Sequence, residues 1–107
     1  MHMIVVMASL KDTLDSNFFK ALSEPARIEV MLVMAGLGEA DVSSISNQME
    51  QDGSVISRHL KLMAEAGVVR CQKSGRHKLY RLNGPSIIEK LKALTSSLQA
   101  AVAAGCC

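Results

Sequence analysis

The sequence predicts a single, mainly α-helical domain that carries one β-hairpin. Apolar residues recur at helical spacing along most of the chain, the period changes to alternation between residues 68 and 82, and Gly75 interrupts the alternating stretch. With 107 residues, 49% of them hydrophobic but only 3% aromatic, the chain suits one domain over residues 1–107. Its modest core is built from aliphatic side chains and seven methionines.

Two helices are expected in the N-terminal third. The first begins near Ser9, and its apolar residues lie one helical turn apart: Leu10, Leu14, Phe18 and Ala21. The second begins at residues 23–25, where a serine cap, an acid and a proline open it, and it runs to about Ala35 before two glycines. This second helix is apolar nearly all round and is therefore expected to be the buried centre of the domain.

A short helix, a turn and a further helix follow between about residues 41 and 66. Asp41 caps the short helix, and Asp52 or Ser54 caps the next one after a tight turn that contains Gly53. This arrangement is a helix-turn-helix pattern.

Strands are expected at residues 68–73 and 77–82, joined through Gly75. A helix-turn-helix followed at once by such a hairpin is the winged helix-turn-helix arrangement, in which the hairpin, about residues 68–82, is the wing. Residues 83–85 (Asn-Gly-Pro) end the second strand and open a last helix, about residues 85–104. The predicted order is therefore α-α-α-α-β-β-α.

Positive charge is concentrated between residues 54 and 82. This segment has seven Lys and Arg residues against one acid, Glu65, which gives it a net charge of +6 and leaves −4 for the rest of the chain. A basic third on a mildly acidic body favours a polyanion-binding surface. An ordinary solvated basic surface is the alternative, and position on the fold decides between the two.

The helix at residues 54–66 has two distinct faces when its residues are projected at about 100° intervals. Ile56, Leu60 and Met63 form an apolar stripe. The opposite face carries four polar side chains: Ser54, Ser57, Arg58 and Lys61. Short hydroxyls and cations on one face are what a helix in the major groove of DNA needs, with Lys61 better suited to a phosphate than to a base.

His59 lies at the margin of that apolar stripe, where a packed or backbone-bonded histidine is favoured over a DNA contact. In the wing, Lys73, Arg76 and His77 at the tip are the best candidates for contacts to the DNA backbone or minor groove. Affinity that rests on several such cations falls steeply with salt.

Apolar residues of the last helix recur at spacings of 4, 3, 4 and 3: Ile87, Leu91, Leu94, Leu98 and Ala101. This heptad seam predicts a homodimer through the first and last helices, with Leu10 and Leu14 contributing from the first. A helix packed onto its own domain is the alternative. A dimer would present two recognition helices to a DNA operator of two-fold symmetry.

Several short motifs resemble those of the arsenical-repressor (ArsR/SmtB) family, between roughly residues 18 and 82. They are LSEPAR at 22–27, ISRHL at 56–60, AGVV at 66–69, Gly75-Arg76 and LYRL at 79–82. The resemblance implies a homodimeric winged-helix repressor that leaves its operator when an inducer binds.

The residues that usually sense metals in that family are missing. Arsenic and cadmium sensors carry cysteines in the helix before the recognition helix, but residues 40–45 (ADVSSI) contain none. Zinc and nickel sensors use Asp/His and His/Glu pairs on the last helix, which here has Glu89 but neither His nor Asp. The resemblance therefore implies a repressor whose inducer site lies elsewhere.

Three cysteines are candidates for that site: Cys71, Cys106 and Cys107. Their odd number and the adjacent pair at the end argue against a disulfide framework and for a reducing compartment. The apolar stretch Met3–Ala8 is too short for a signal segment, and no run reaches the roughly 18 residues of a membrane span, so a cytoplasmic protein is expected.

Soft thiolates suit As(III), Sb(III) or another thiophilic ion, with Cys71 as a third donor beside Cys106 and Cys107. A disulfide formed by Cys106 or Cys107 that alters the dimer is a second hypothesis, and a tail without any sensing role is a third. Cys71 shares a strand face with Val69, which favours a small buried hydrophobe at that position.

Functions of other classes are disfavoured. No carboxylate pair, nucleophile–base arrangement or phosphate-binding glycine loop is present, so an enzyme is not expected. A winged helix that binds protein rather than DNA is the stronger rival. Such a module has no need of the +6 charge on its recognition helix and wing.

Overall fold

A computed structural model of the protein describes residues 2–105, with side chains from residue 4 onward. The elements, in chain order, are α1 (His2–Thr13), α2 (Ser16–Ser23), α3 (Pro25–Leu37), α4 (Val42–Ser46), α5 (Gly53–Glu65), β1 (Val69–Ser74), β2 (His77–Leu82) and α6 (Gly84–Ala103). The helix-turn-helix, the wing and the last helix lie within two residues of their predicted bounds. No helix within residues 2–105 has the length and apolar character needed to cross a bilayer.

The single helix predicted from Ser9 to Ala21 is in fact two helices, so five helices precede the wing rather than four. α1 starts at His2 and ends at Thr13. Asp15 caps α2, because its carboxylate accepts hydrogen bonds from the backbone N–H groups of Asn17 and Phe18. The apolar spacing continues in register across this break and therefore hides it.

The start of α3 differs from the predicted serine cap. Ser23 is the last residue of α2, and its hydroxyl donates to the carbonyl oxygen of Lys20 at 2.8 Å. Glu24 occupies the cap position, but its side chain accepts no hydrogen bond from the backbone N–H groups of the first turn, and Pro25 opens the helix as predicted. The helix ends at Leu37, and Gly38, which caps it, has a φ of +76°, a conformation that favours glycine.

The prediction that this helix is the buried centre of the domain holds for only one of its sides. Val30 and Met34 are buried, but Leu32 is 68% exposed and Ile28 is exposed beside it. Only one side of α3 faces the core, and the apolar residues on its other side remain at the surface of the protomer.

The core lies where α2, α3, α4, α5 and the base of the wing meet. Its largest fully buried side chains are Phe18, Val30, Met34, Ile45, Ile56, Leu60, Met63 and Val68. Ala40 joins the wing to this body, because its backbone exchanges hydrogen bonds of 2.8 and 3.0 Å with Tyr80 of β2. β2 therefore has a backbone partner on each edge, β1 on one side and Ala40 on the other.

The wing is an antiparallel pair whose register runs from Val69 opposite Leu82 to Ser74 opposite His77. Gly75, at φ +64°, and Arg76, without a positive φ, form the two-residue turn between the strands. A glycine at the first central position is the pattern of a type II′ turn, which matches the twist of a hairpin.

Helices α1 and α6 pack along each other and project from this body. Ser9 Oγ lies 2.8 Å from Ser97 Oγ, and Val6 and Ala101 are buried between the two helices. The radius of gyration is 16.8 Å, against about 13 Å for a compact domain of this length, and the long axis measures 52 Å. The protomer is therefore elongated by the α1–α6 pair.

Candidate nucleic-acid interface

The first turn of α5 is held by Asp52. Its Oδ1 atom accepts hydrogen bonds from the Ser54 hydroxyl at 2.6 Å and from the backbone N–H groups of Ser54 and Val55. These bonds, the Ser54 hydroxyl first, lower the pKa of Asp52 below its ordinary value of 3.8. Of the two predicted caps, Asp52 is the cap, and the Ser54 hydroxyl is bonded to it.

The two faces of α5 are separated as the angular projection predicted. Ile56, Leu60 and Met63 are fully buried, whereas the opposite face is exposed and carries Ser54, Ser57, Arg58 and Lys61. The burial of three aliphatic side chains along one stripe fixes the rotation of the helix, so the polar face points outward.

His59 is half-buried and turns toward α3. Its Nδ1 atom lies 3.4 Å from Nη1 of Arg27, a residue that is only 7% exposed. The partner of His59 is thus a side chain rather than the backbone. The sequence pattern did not single out Arg27, although it shares the apolar stripe of α3 with Val30 and Met34, and a charged residue on a buried stripe is a usable signal.

The wing-tip residues Lys73, Arg76 and His77 are all exposed, but they do not share one face. Lys73 lies opposite Lys78, and His77 lies opposite Ser74. Since cross-strand partners share a face and neighbours alternate, Lys73 and His77 lie on opposite sides of the hairpin. The tip therefore presents cations to both sides.

The wing tip also lies near the start of α4. Asp41 caps α4 through the backbone N–H of Ser44 at 2.8 Å, as predicted. The pKa of Asp41 is lowered, mainly by that hydrogen bond and to a smaller extent by the charge of His77. The helix-turn-helix and the wing thus form one continuous surface.

Cys71 is exposed, which contradicts the predicted burial. Val69 is buried at the base of the wing, but every later residue of β1 is exposed, because β1 is the outer strand and β2 lies between it and Ala40 of the domain body. Tyr80 lies opposite Cys71 on β2. Its pKa is raised above the ordinary value of 10.0, mainly by burial and secondly by the neighbouring thiol of Cys71. Sharing a strand face with a buried residue therefore does not imply burial in β1.

No cluster of three or more His, Cys, Asp or Glu side chains suited to a metal occurs within the described part of the chain. The other two predicted sensing residues, Cys106 and Cys107, lie outside the described residues.

The residues of the predicted dimer seam differ in exposure, because α6 packs on α1 and covers some of them. Leu14, Leu91 and Leu98 are exposed, and the remaining leucines and Ile87 are half-buried. Ala101 is only 1% exposed and lies inside the protomer, so its placement differs from the seam prediction. The apolar strip that α6 leaves uncovered consists of Ile88, Leu91, Leu98 and Val102.

Comparison with known proteins places this surface in a family. A family model described as "Bacterial regulatory protein, arsR family" matches residues 24–70. The arsenic resistance transcriptional regulator ArsR2 of Pseudomonas putida is 32% identical over 81 residues, which cover 74% of this chain and 70% of that protein. The chain belongs to the ArsR family.

A second relative and a solved structure are also similar to this chain. The arsenical resistance operon repressor of Escherichia coli is 34% identical over 67 residues, or 63% of this chain, and the match spans only 57% of that repressor's length. The homodimeric winged helix-turn-helix DNA-binding domain of Mb0332 from Mycobacterium bovis has the same fold, with a TM-score of 0.65 and 24% identity over 88% of this chain and 84% of that domain. The ArsR match covers α3, α4, α5 and the first residues of β1, the elements that position the exposed polar face.

Proposed function

We propose that this ArsR-family chain is a DNA-binding transcriptional repressor whose α5 enters the major groove of an operator. The observation that carries the proposal is the division of α5, which buries Ile56, Leu60 and Met63 and exposes Ser57, Arg58 and Lys61 beside a basic wing. The +6 charge of residues 54–82 is thus carried by the recognition helix and the wing, the two elements that contact DNA in this arrangement.

The exposed side chains suit different parts of the DNA. Arg58 can pair with a guanine edge, and the Ser57 hydroxyl can bond to a base or a phosphate. Lys61 and the wing residues Lys73, Arg76 and His77 suit the backbone or the minor groove. In the free protein the hydroxyl of Ser54 is bonded to Asp52, so Ser54 contributes mainly by shaping the start of α5.

The working form is proposed to be a homodimer through α1 and α6 that binds an operator of two-fold symmetry. The elongated protomer and the uncovered strip on α6 support this assembly, because so much exposed aliphatic surface is unfavourable in water. The Mb0332 domain, which shares the fold, is described as homodimeric. A dimer would present two copies of α5 to the two half-sites of such an operator.

DNA binding is tested by enriching bound duplexes from a random pool and titrating the best one by fluorescence anisotropy. Affinity should fall by about 10³-fold or more between 50 and 200 mM salt. Arg58→Ala should lower affinity for the selected duplex by roughly 5- to 150-fold and relax its sequence preference, whereas Lys92→Ala, on exposed α6, should change neither. No enrichment, or binding that ignores salt, would favour the protein-binding module instead.

The inducer is proposed to be a thiophilic ion such as As(III) or Sb(III), or an oxidant, acting on the cysteines. The relatives named for arsenic resistance support the first choice. We assign sensing to Cys106 and Cys107, because two neighbouring soft thiolates suit such an ion and the thiolate is also the form of cysteine that oxidants attack.

Release from the selected duplex on addition of arsenite, or separately of an oxidant, tests this assignment. The wild type should dissociate, and a Cys106→Ser/Cys107→Ser variant should stay bound, while Cys71→Ser should behave as the wild type. A double variant that still dissociates shows that the C-terminal pair is not the sensor.

A further inference from the structure

Arg27 is one of the few charged side chains buried in the described part of the protomer, and its hydrogen bonds join three helices. Its Nε and Nη2 atoms donate to the carbonyl oxygens of Ala21 and Lys20, at 2.9 and 2.8 Å. These carbonyls belong to the last turn of α2, where carbonyl oxygens lack a backbone N–H partner within the helix, and that of Lys20 also accepts from the Ser23 hydroxyl. Arg27 thus places a positive charge at the C-terminal end of α2, where it is favourable.

The remaining nitrogen, Nη1, serves two further acceptors. It donates to Oε2 of Glu24 at 3.1 Å and lies 3.4 Å from Nδ1 of His59 on α5. Arg27 therefore connects the end of α2 and the start of α3 to the recognition helix. The hydrogen bonds to the two backbone carbonyls fix the orientation of the guanidinium, so its position beside His59 is well defined.

The chemistry of that partner decides where the imidazole carries its proton. A guanidinium has only donors and cannot be deprotonated in a protein, so Nδ1 of His59 must act as the acceptor. A neutral ring whose Nδ1 accepts carries its hydrogen on Nε2.

We propose that Arg27 is a positioning residue for DNA binding, because it holds His59 in the Nε2–H form and so leaves a neutral N–H donor for a DNA phosphate at the rim of α5. The inference rests on the proposed DNA-binding function. His59 is half-buried and follows the exposed Arg58, so it stands at the edge of the recognition face rather than at its centre. A side chain at that edge reaches the backbone of DNA more readily than a base in the floor of the groove.

Nitrogen NMR of the free protein tests the first step without any DNA. The Nδ1 and Nε2 shifts of His59 above neutral pH should report the Nε2–H form. In Arg27→Gln the two forms should become mixed, since the amide can turn to offer either a donor or an acceptor. A wild-type His59 that carries its hydrogen on Nδ1 overturns the proposal.

DNA affinity tests the second step. His59→Leu should weaken binding to the selected duplex about tenfold, the effect of losing one hydrogen bond to a charged group, and His59→Gln, which keeps an acceptor and an N–H donor, should retain most of the affinity. The slope of affinity against salt should not change, because a neutral donor releases no counterion. The matched control Lys61→Ala should lower that slope by about one.

A double-mutant cycle separates positioning from a merely structural role. If Arg27 acts through His59, Arg27→Gln should weaken binding in the wild type but not in the His59→Leu background. Equal losses in both backgrounds, or a His59→Leu variant that binds as the wild type, overturn the proposal. If Arg27→Gln does not fold, the NMR result and the His59 variants still decide. A wild type that binds no duplex instead refutes the regulator proposal itself, so the two failures are distinguishable.

Discussion

Replacing Leu98 with glutamate should convert the proposed dimer into a monomer. The uncovered apolar side chains of the α1–α6 pair are Ile4, Val5, Met7, Ile88, Leu91, Leu98 and Val102, and their exposed fractions together equal about four whole side chains. At about 1.5–3 kcal/mol for each side chain buried, complete coverage contributes about 6–12 kcal/mol per protomer and twice that in a two-fold dimer. Association itself costs about 4–15 kcal/mol, so a stable dimer is expected.

The share of Leu98 follows from its own exposure of 44%. Completing its burial contributes about 0.7–1.3 kcal/mol per protomer, or roughly a 10- to 80-fold factor in the dimer dissociation constant, since it occurs twice. Glutamate removes this contribution and adds two carboxylates, each of which costs several kcal/mol to bury. The dissociation constant should therefore rise at least about 100-fold.

Sedimentation equilibrium over a range of protein concentrations measures this change directly. The matched control is Ser96→Glu, which adds the same charge to an exposed position on the other side of α6. The control should remain dimeric and Leu98→Glu should not. A Leu98→Glu variant with the dissociation constant of the wild type, or a wild type that is monomeric at high concentration, would refute the assignment of this surface to a second copy.

Three further predictions concern the DNA-binding body, and each is read from urea denaturation. Leu60→Ala should lower the free energy of unfolding by about 2–5 kcal/mol, because Leu60 is fully buried beneath the recognition face; a loss below 1 kcal/mol would contradict the packing of α5. Gly75→Ala should lower the free energy of unfolding by about 1–2 kcal/mol because of the positive φ alone, since no atom lies within 4 Å of the added methyl. The control Gly84→Ala, which also has open space but no positive φ, should change it little. The lowered pKa of Asp52 means that its charge stabilises the fold above pH 3.8 and that this contribution is lost as the pH falls through the lower folded-state value. The stability of Asp52→Asn should therefore depend less on pH in that acid range, and an unchanged pH profile would count against the cap.

The sequence alone determined the features that depend on neighbours along the chain. The faces of α5 follow from the spacing of Ile56, Leu60 and Met63, and the hairpin follows from alternation around Gly75. A helical or extended period places side chains relative to one another over a few residues, so these positions could be predicted without knowledge of the rest of the fold. The motifs that resemble the ArsR family lie in the same region, and those between residues 24 and 70 fall within the family match.

The features that depend on contacts between distant parts of the chain became known only from the folded structure. The exposure of Cys71 depends on which strand of the wing pairs with the domain body, and the burial of Ala101 depends on the side of α6 that meets α1. Arg27 and His59 are 32 positions apart, and Ser9 and Ser97 are 88 apart, so no local period could bring them together. Burial is a property of the packed assembly of helices, and side chains with the same local pattern end inside or outside according to the element that covers them.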